Sequence, residues 1–189
     1  MNVRSERAAA LVLAMMAVFL AAALAASLAV LAHTELKIAA NWVDGAELRY
    51  TADAALEAAI EELGTIPDWS EVLSGAVLSR VIDGSPGGQR TLSDGSVIDL
   101  DDLNGQASAD NPSFRLFAFA PAHDLQPGGN LGYDRYVLVW AGDDPEQDPA
   151  ILVIRSEALG PAGMRHMLAA RVLRTPSGAV RVVSWQELR

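Results

Sequence analysis

The chain has 189 residues, 51% of them hydrophobic, no cysteine and a formal net charge of −10. That length holds one modest domain plus a short extra segment and excludes a large multidomain enzyme. Lack of cysteine excludes disulfides, thiolate metal sites and thiol chemistry. The acidic balance speaks against nucleic-acid binding, which needs clustered Lys and Arg.

Residues 1–7 carry Arg4 and Arg7, a basic start. From Ala8 to Ala32, 24 of 25 residues are apolar, without charge, Pro or Gly. As a helix this run reaches roughly 37 Å, enough to cross the hydrocarbon core of a bilayer. Twelve of its residues are alanine and ten are Leu, Val or Phe, so insertion is favoured by at most about 3 to 6 kcal/mol. A transmembrane helix is therefore expected over 8–32. Acidic residues dominate the stretch that follows it. The positive-inside rule then puts the N-terminus in the cytoplasm and the body outside. A cleaved signal peptide is the competing reading, with Ala23-Leu24-Ala25 as a small-x-small site. The apolar sequence continues from Ala26 to Ala32, which favours an uncleaved anchor. Ala10, Ala14, Ala21 and Ala25 are candidate helix-packing positions, because small side chains let another helix approach closely. Alanine as neutral filler from a high-GC genome is the plain alternative.

Residues 33–64 read as an amphipathic continuation of the same helix. Leu36, Ala39, Ala40, Val43, Ala46, Tyr50, Leu56, Ile60 and Leu63 form its apolar side. Glu35, Glu47, Asp53, Glu57, Glu61 and Glu62 form the wet side, and Gly64 followed by Pro67 supplies a stop. One helix from Ala8 to Leu63 would be roughly 84 Å long.

Residues 65–189 read as a loop-rich antiparallel β domain. A short helix is expected from Trp69 to Leu78, then a hairpin suggested by Asp-Gly-Ser turns at Asp83 and Asp94. Five β-like runs follow: Phe114 to Ala120, Arg135 to Ala141, Ala150 to Ser156, Arg165 to Arg174, and Val180 to Trp185. Their connectors hold Pro121, Pro127-Gly128-Gly129, Pro145, Gly160-Pro161 and Pro176-Ser177-Gly178, all turn formers. Short links favour antiparallel neighbours. Such a meander has one apolar face to bury, and the amphipathic half of the long helix offers the matching surface. The expected class is α+β, a long N-terminal helix packed on an antiparallel sheet.

The search for chemistry assigns no catalytic, cofactor-binding or metal residue. His33, His123 and His166 form no His-x-x-x-His or His-Glu-x-x-His pattern. Gly84-Ser-Pro-Gly-Gly88 lacks the lysine and following helix of a phosphate cradle and reads as a turn. Asp99-Leu-Asp101-Asp102-Leu-Asn104-Gly105 begins like an EF-hand, but Leu103 takes the required fifth position and no Glu falls twelfth. A looser calcium site is weighed there and at Asp143-Asp144-Pro-Glu146-Gln-Asp148 against solvated loop tips, which are favoured. Residues 150–189 carry 6 bases against 2 acids. Those arginines do not form one stripe, since Arg165 and Arg171 share strand parity and Arg174 does not. The chain is thus expected not to be an enzyme, to need no cofactor, and to bind neither nucleic acid nor a small-molecule substrate.

The run Glu35-Leu-Lys-Ile-Ala-Ala-Asn41, continuing through Asp44 and Gly45 to Tyr50-Thr-Ala-Asp-Ala-Ala-Leu56-Glu57, resembles the N-terminal region of PilX-type, pilin-like type IV pilus assembly proteins. There an apolar helix is followed by a Glu, an Ala-x-Asn element and an Ala-rich stretch with an acid. The resemblance covers about residues 4–63. It departs from the main pilin pattern in two ways: no Glu lies in the apolar run, where cleavage after Ala8 would make Leu13 the fifth residue, and no cysteine pair ties the C-terminal region. The resemblance implies a pilin-like fold and a membrane-anchored structural or assembly component of a type IV pilus or related secretion system. Its partners would be the membrane and other pilin-like or pilus assembly proteins. The alternative is a secreted or membrane-anchored extracytoplasmic binding domain with a long signal helix.

Overall fold

The structure, a computed structural model, describes residues 3–125, 135–146 and 148–188. The expected Pro127-Gly128-Gly129 connector lies outside the described residues, as do the first two residues of the expected cytoplasmic segment. The chain divides into two units, 1–43 and 44–189.

The first unit is helix. The element α1 spans Val3–Thr65, and every side chain from Ala10 to Val43 is exposed. Within it lies the one helical stretch, among the described residues, long and apolar enough to cross a membrane. Its sparse hydroxyls are satisfied within the helix: Ser27 Oγ donates to the Ala23 carbonyl at 2.9 Å and Thr34 Oγ1 to that of Val30 at 3.0 Å. Both hydroxyls are thus paired with backbone carbonyls one turn earlier.

In the second unit the rest of α1 buries Leu48, Ala52, Ala55, Leu56, Ala59 and Leu63, a stripe at helical spacing. This corrects the expected apolar side. Leu36 and Tyr50 are each 70% exposed, and the buried stripe begins at Leu48, with smaller residues than a hydropathy pattern selects. Glu62, expected on the wet side, is buried. Its carboxylate accepts from Ser79 Oγ at 2.5 Å and from the Arg80 amide at 2.9 Å, which offsets its desolvation.

Five strands form one antiparallel meander: β3 (Arg115–Pro121), β4 (Tyr136–Asp143), β5 (Ile151–Leu159), β6 (Arg165–Arg174) and β7 (Val180–Leu188), in that order, after a separate hairpin of β1 (Gln89–Thr91) and β2 (Val97–Asp99). All five expected runs are strands: β6 has the expected bounds, β3, β4 and β5 begin one residue later than expected, and β3, β4, β5 and β7 run one to three residues further at their C-terminal ends. Alternate side chains divide between two cores. Val137, Val139, Ile154, Leu168 and Val172 pack with the α1 stripe. Tyr136, Leu138, Trp140 and Leu159 pack on the opposite side with Leu92, Leu103 and Phe114. The expectation of a single apolar face is thereby corrected. A bulge at Phe117, between Leu116 and Ala118 in the pairing with β4, places Phe117 and Ala118 together in the α1-side core. Gly160 allows close approach of the β5 end to α1, since a Cβ there would lie 3.0 Å from Leu48.

The second core needs a cover that the sequence reading missed: the helix α3 (Leu100–Asp110), burying Leu100, Leu103 and Ala107. Its start is the acidic run weighed as a calcium loop. Asp99 caps the helix, accepting from the Asp101 amide at 3.0 Å and more weakly from Asp102 at 3.4 Å. The hairpin also differs from expectation. Only Asp94-Gly95-Ser96 is its turn, whereas Asp83 opens a loop drawn around Arg90, whose guanidinium donates to the carbonyls of Asp83 at 2.7 Å and Ser85 at 2.6 Å. The helix expected from Trp69 to Leu78 shortens to α2 (Ser70–Leu73), stopped by Gly75 at a φ of +77°.

Candidate interaction surfaces

The titratable groups of the 44–189 unit are mostly engaged with one another. Arg165 Nε donates to buried Glu157 at 2.6 Å, and Arg155 Nη1 to Asp110 at 2.6 Å while stacking 5.4 Å from the Trp140 ring. Arg171 Nη2 donates to Asp144 at 2.9 Å and Glu146 at 3.0 Å. Those bonds, Glu146 first and Asp144 second, hold its pKa above the ordinary arginine value. Arg174 lies 4.2 Å over Trp69 and donates to the carbonyls of Pro67, Ile66 and Leu63, closing the C-terminal end of α1. The different parity of Arg174 is thus what turns it toward α1.

Several of the acids weighed for calcium are already engaged. Asp144 and Glu146 face Arg171, Asp148 accepts from the Ala150 amide at 2.9 Å, and Asp101 from the Gly88 amide at 3.0 Å. Among the described residues no three His, Asp or Glu side chains are grouped to hold a metal. His33 is exposed on α1, His123 Nε2 lies 3.4 Å from Asp124, and His166 Nε2 lies 3.8 Å from Glu187. Tyr136, buried, has its hydroxyl 3.5 Å from Asp83. Burial first, and the Asp83 carboxylate second, push its pKa well above the ordinary phenol value. It is held neutral, a structural donor and not a base.

Two surfaces remain. On α1, Ala10, Ala14, Ala21 and Ala25 are all exposed. At 100° per residue they fall within an arc of about 60° on one face. The second surface is at the sheet edges, which the sequence reading did not single out. The β3 edge is covered: the Ser79 amide donates to Phe117 O at 2.8 Å, Phe119 N to Val81 O at 3.1 Å and Asp83 N to Phe119 O at 2.7 Å. Among the described residues nothing pairs with the β7 edge, and every residue from Arg181 to Glu187 is exposed, including Val182, Val183 and Trp185. The signal available in the sequence was order alone, since the last strand of a meander lies at an edge.

Comparison of the chain with protein-family models, curated proteins and solved structures finds no match.

Proposed function

We propose that this chain is a single-pass, pilin-like assembly component of a type IV pilus or related secretion system. In this reading it sits in a bacterial inner membrane with residues 1–7 in the cytoplasm and the 44–189 unit outside, and it acts by noncovalent packing. One observation carries the reading: α1 has an apolar length whose side chains are exposed throughout, followed by a length that buries a stripe of small and aliphatic residues in an antiparallel sheet. A monomer leaves the first length to lipid, and the Ala10, Ala14, Ala21 and Ala25 face permits close approach of a second helix. The resemblance of residues 35–57 to PilX-type proteins supplies the kind of partner.

The test is crosslinking within the membrane to pilin-like partners, comparing the native chain with one carrying Ala10→Leu, Ala14→Leu and Ala21→Leu. The substitutions keep the segment apolar, so insertion should survive while crosslinking falls. Equal yields would refute the helix surface.

One observation favours the second reading, a secreted or anchored binding domain. The buried part of α1 starts at Leu48, so cleavage after Ala25 would leave the core of the 44–189 unit whole. The mass of the mature N-terminus separates the two readings: loss of residues 1–25 supports secretion.

A further inference from the structure

We propose that the outer edge of β7 is a strand-addition site for an extended segment of an assembly partner, one that alternates apolar residues and places a carboxylate beside Arg181. The proposal rests on the assembly reading for its setting, but the edge itself belongs wholly to the 44–189 unit.

Three boundaries of the five-stranded sheet are covered: the β3–β6 part of one face by α1, the β3–β5 part of the other by α3 and the hairpin, and the β3 edge by residues 79–83. The edge of β7 presents backbone amides and carbonyls to solvent, the chemistry that recruits another strand. Its side chains form two rows. Val182 opposes Val172 and Trp185 opposes Ala170, both core residues on the α1 side, so Val182 and Trp185 lie on that face. Arg181 and Ser184 oppose Leu173 and Arg171 on the other. An incoming strand therefore meets an apolar row on one face and a cationic position on the other.

The charge identifies the partner. The other arginines described between residues 44 and 188 each hold an acid, a carbonyl or an aromatic ring, and Arg181 alone holds none. A second copy of this chain does not supply the missing acid. With the register shift at Val183, the antiparallel self-pairings that keep the faces matched set Arg181 against Ser184 or Gln186 of the other copy, neither of them an acid. A partner strand with an acid at that position completes the edge.

The experiment uses the full-length chain in detergent micelles and a labelled synthetic peptide that alternates valine with threonine and carries glutamate on the threonine face. Its controls are the same peptide with lysine for glutamate and one with backbone N-methyl groups on its pairing edge. Anisotropy reads binding, and hydrogen exchange of β7 amides reads its place. Saturable binding of the acidic peptide with slowed β7 exchange is expected. The lysine peptide should bind at least about fivefold more weakly, the swing of one cross-strand charge pair, and Arg181→Glu should invert that preference. Equal binding of the acidic and lysine peptides, undiminished binding of the N-methylated one, or unchanged β7 exchange would each overturn the proposal. Concentration-dependent β7 protection without peptide would overturn it in favour of self-association. Membrane retention and α1 crosslinking together with no β7 protection would remove this site and leave the assembly reading standing.

Discussion

The sequence reading assigns Leu36 and Leu56 alike to the apolar side of the helix, yet Leu36 is 70% exposed and Leu56 only 1%. Replacing each with alanine separates the two accounts of α1. Leu56 packs in the α1-side core among Ala52, Ala55 and Ala59, small residues that bring the helix backbone close to the strands. Backbone walls relax little into a cavity, so Leu56→Ala should cost about 3 to 5 kcal/mol, the upper part of the usual range. That is a large share of the roughly 5 to 15 kcal/mol available to a domain. At a urea slope of about 2 kcal/mol per molar, the midpoint falls by roughly 2 M. Leu36→Ala removes an exposed side chain and should stay within about 0.5 kcal/mol. The assay is urea titration of the full-length variants in detergent, followed by near-UV circular dichroism. Similar shifts for both variants would refute the claim that burial begins at Leu48.

Arg174→Met keeps the side-chain stem but withdraws the donors from three carbonyls at the end of α1, and should cost about 2 kcal/mol in the same titration; Arg174→Lys should rescue only part, for want of the planar fork. A fragment of residues 65–189 should aggregate, because Val137, Val139, Ile154 and Leu168 lose their cover; sedimentation of a soluble, cooperatively folding fragment would show α1 to be dispensable. The Asp94 pKa is lowered, chiefly by the hydroxyl and then the amide of Ser96. A depressed carboxylate adds stability above its unfolded pKa, about 3.9, and loses it as pH falls through the lower folded value. Hydrogen-exchange protection of the Ser96 amide should therefore hold at neutral pH and drop in acid below that range.

The strands were legible because each is a run of apolar and β-branched residues bounded by Pro or Gly, and short links leave antiparallel pairing as the simple solution. What stayed hidden is chiefly tertiary. Nothing local to Leu100, Leu103 and Ala107 separates a short helix from a polar loop when Gly105 sits among them and aspartates crowd its start. Its existence follows from Leu138 and Trp140 facing the side that α1 does not cover. Glu62 was misplaced for the same reason, since its neutralising partners, Ser79 and Arg80, are seventeen and eighteen residues away. The exposure of Ala10, Ala14, Ala21 and Ala25 matches an apolar run with no amphipathic pattern to bury it, whereas β7 showed as a strand but not as the open edge.

The charge distribution ties these points to function. The C-terminal quarter looks basic in sequence, yet Arg155, Arg165 and Arg171 pair with Asp110, Glu157, Asp144 and Glu146, and Arg174 with the end of α1. An apparent basic patch is thus internal wiring among sheet, loops and helix. Long-range steering by such paired charges is weak, so association would be driven by apolar and backbone groups where the domain leaves them open. On the 44–189 unit the exposed apolar residues Val182, Val183 and Trp185 share the strand with the open backbone edge and with Arg181. In the proposed assembly, the partner would be read at β7 by strand register and one carboxylate, and at the alanine face of α1 by a close-packing helix.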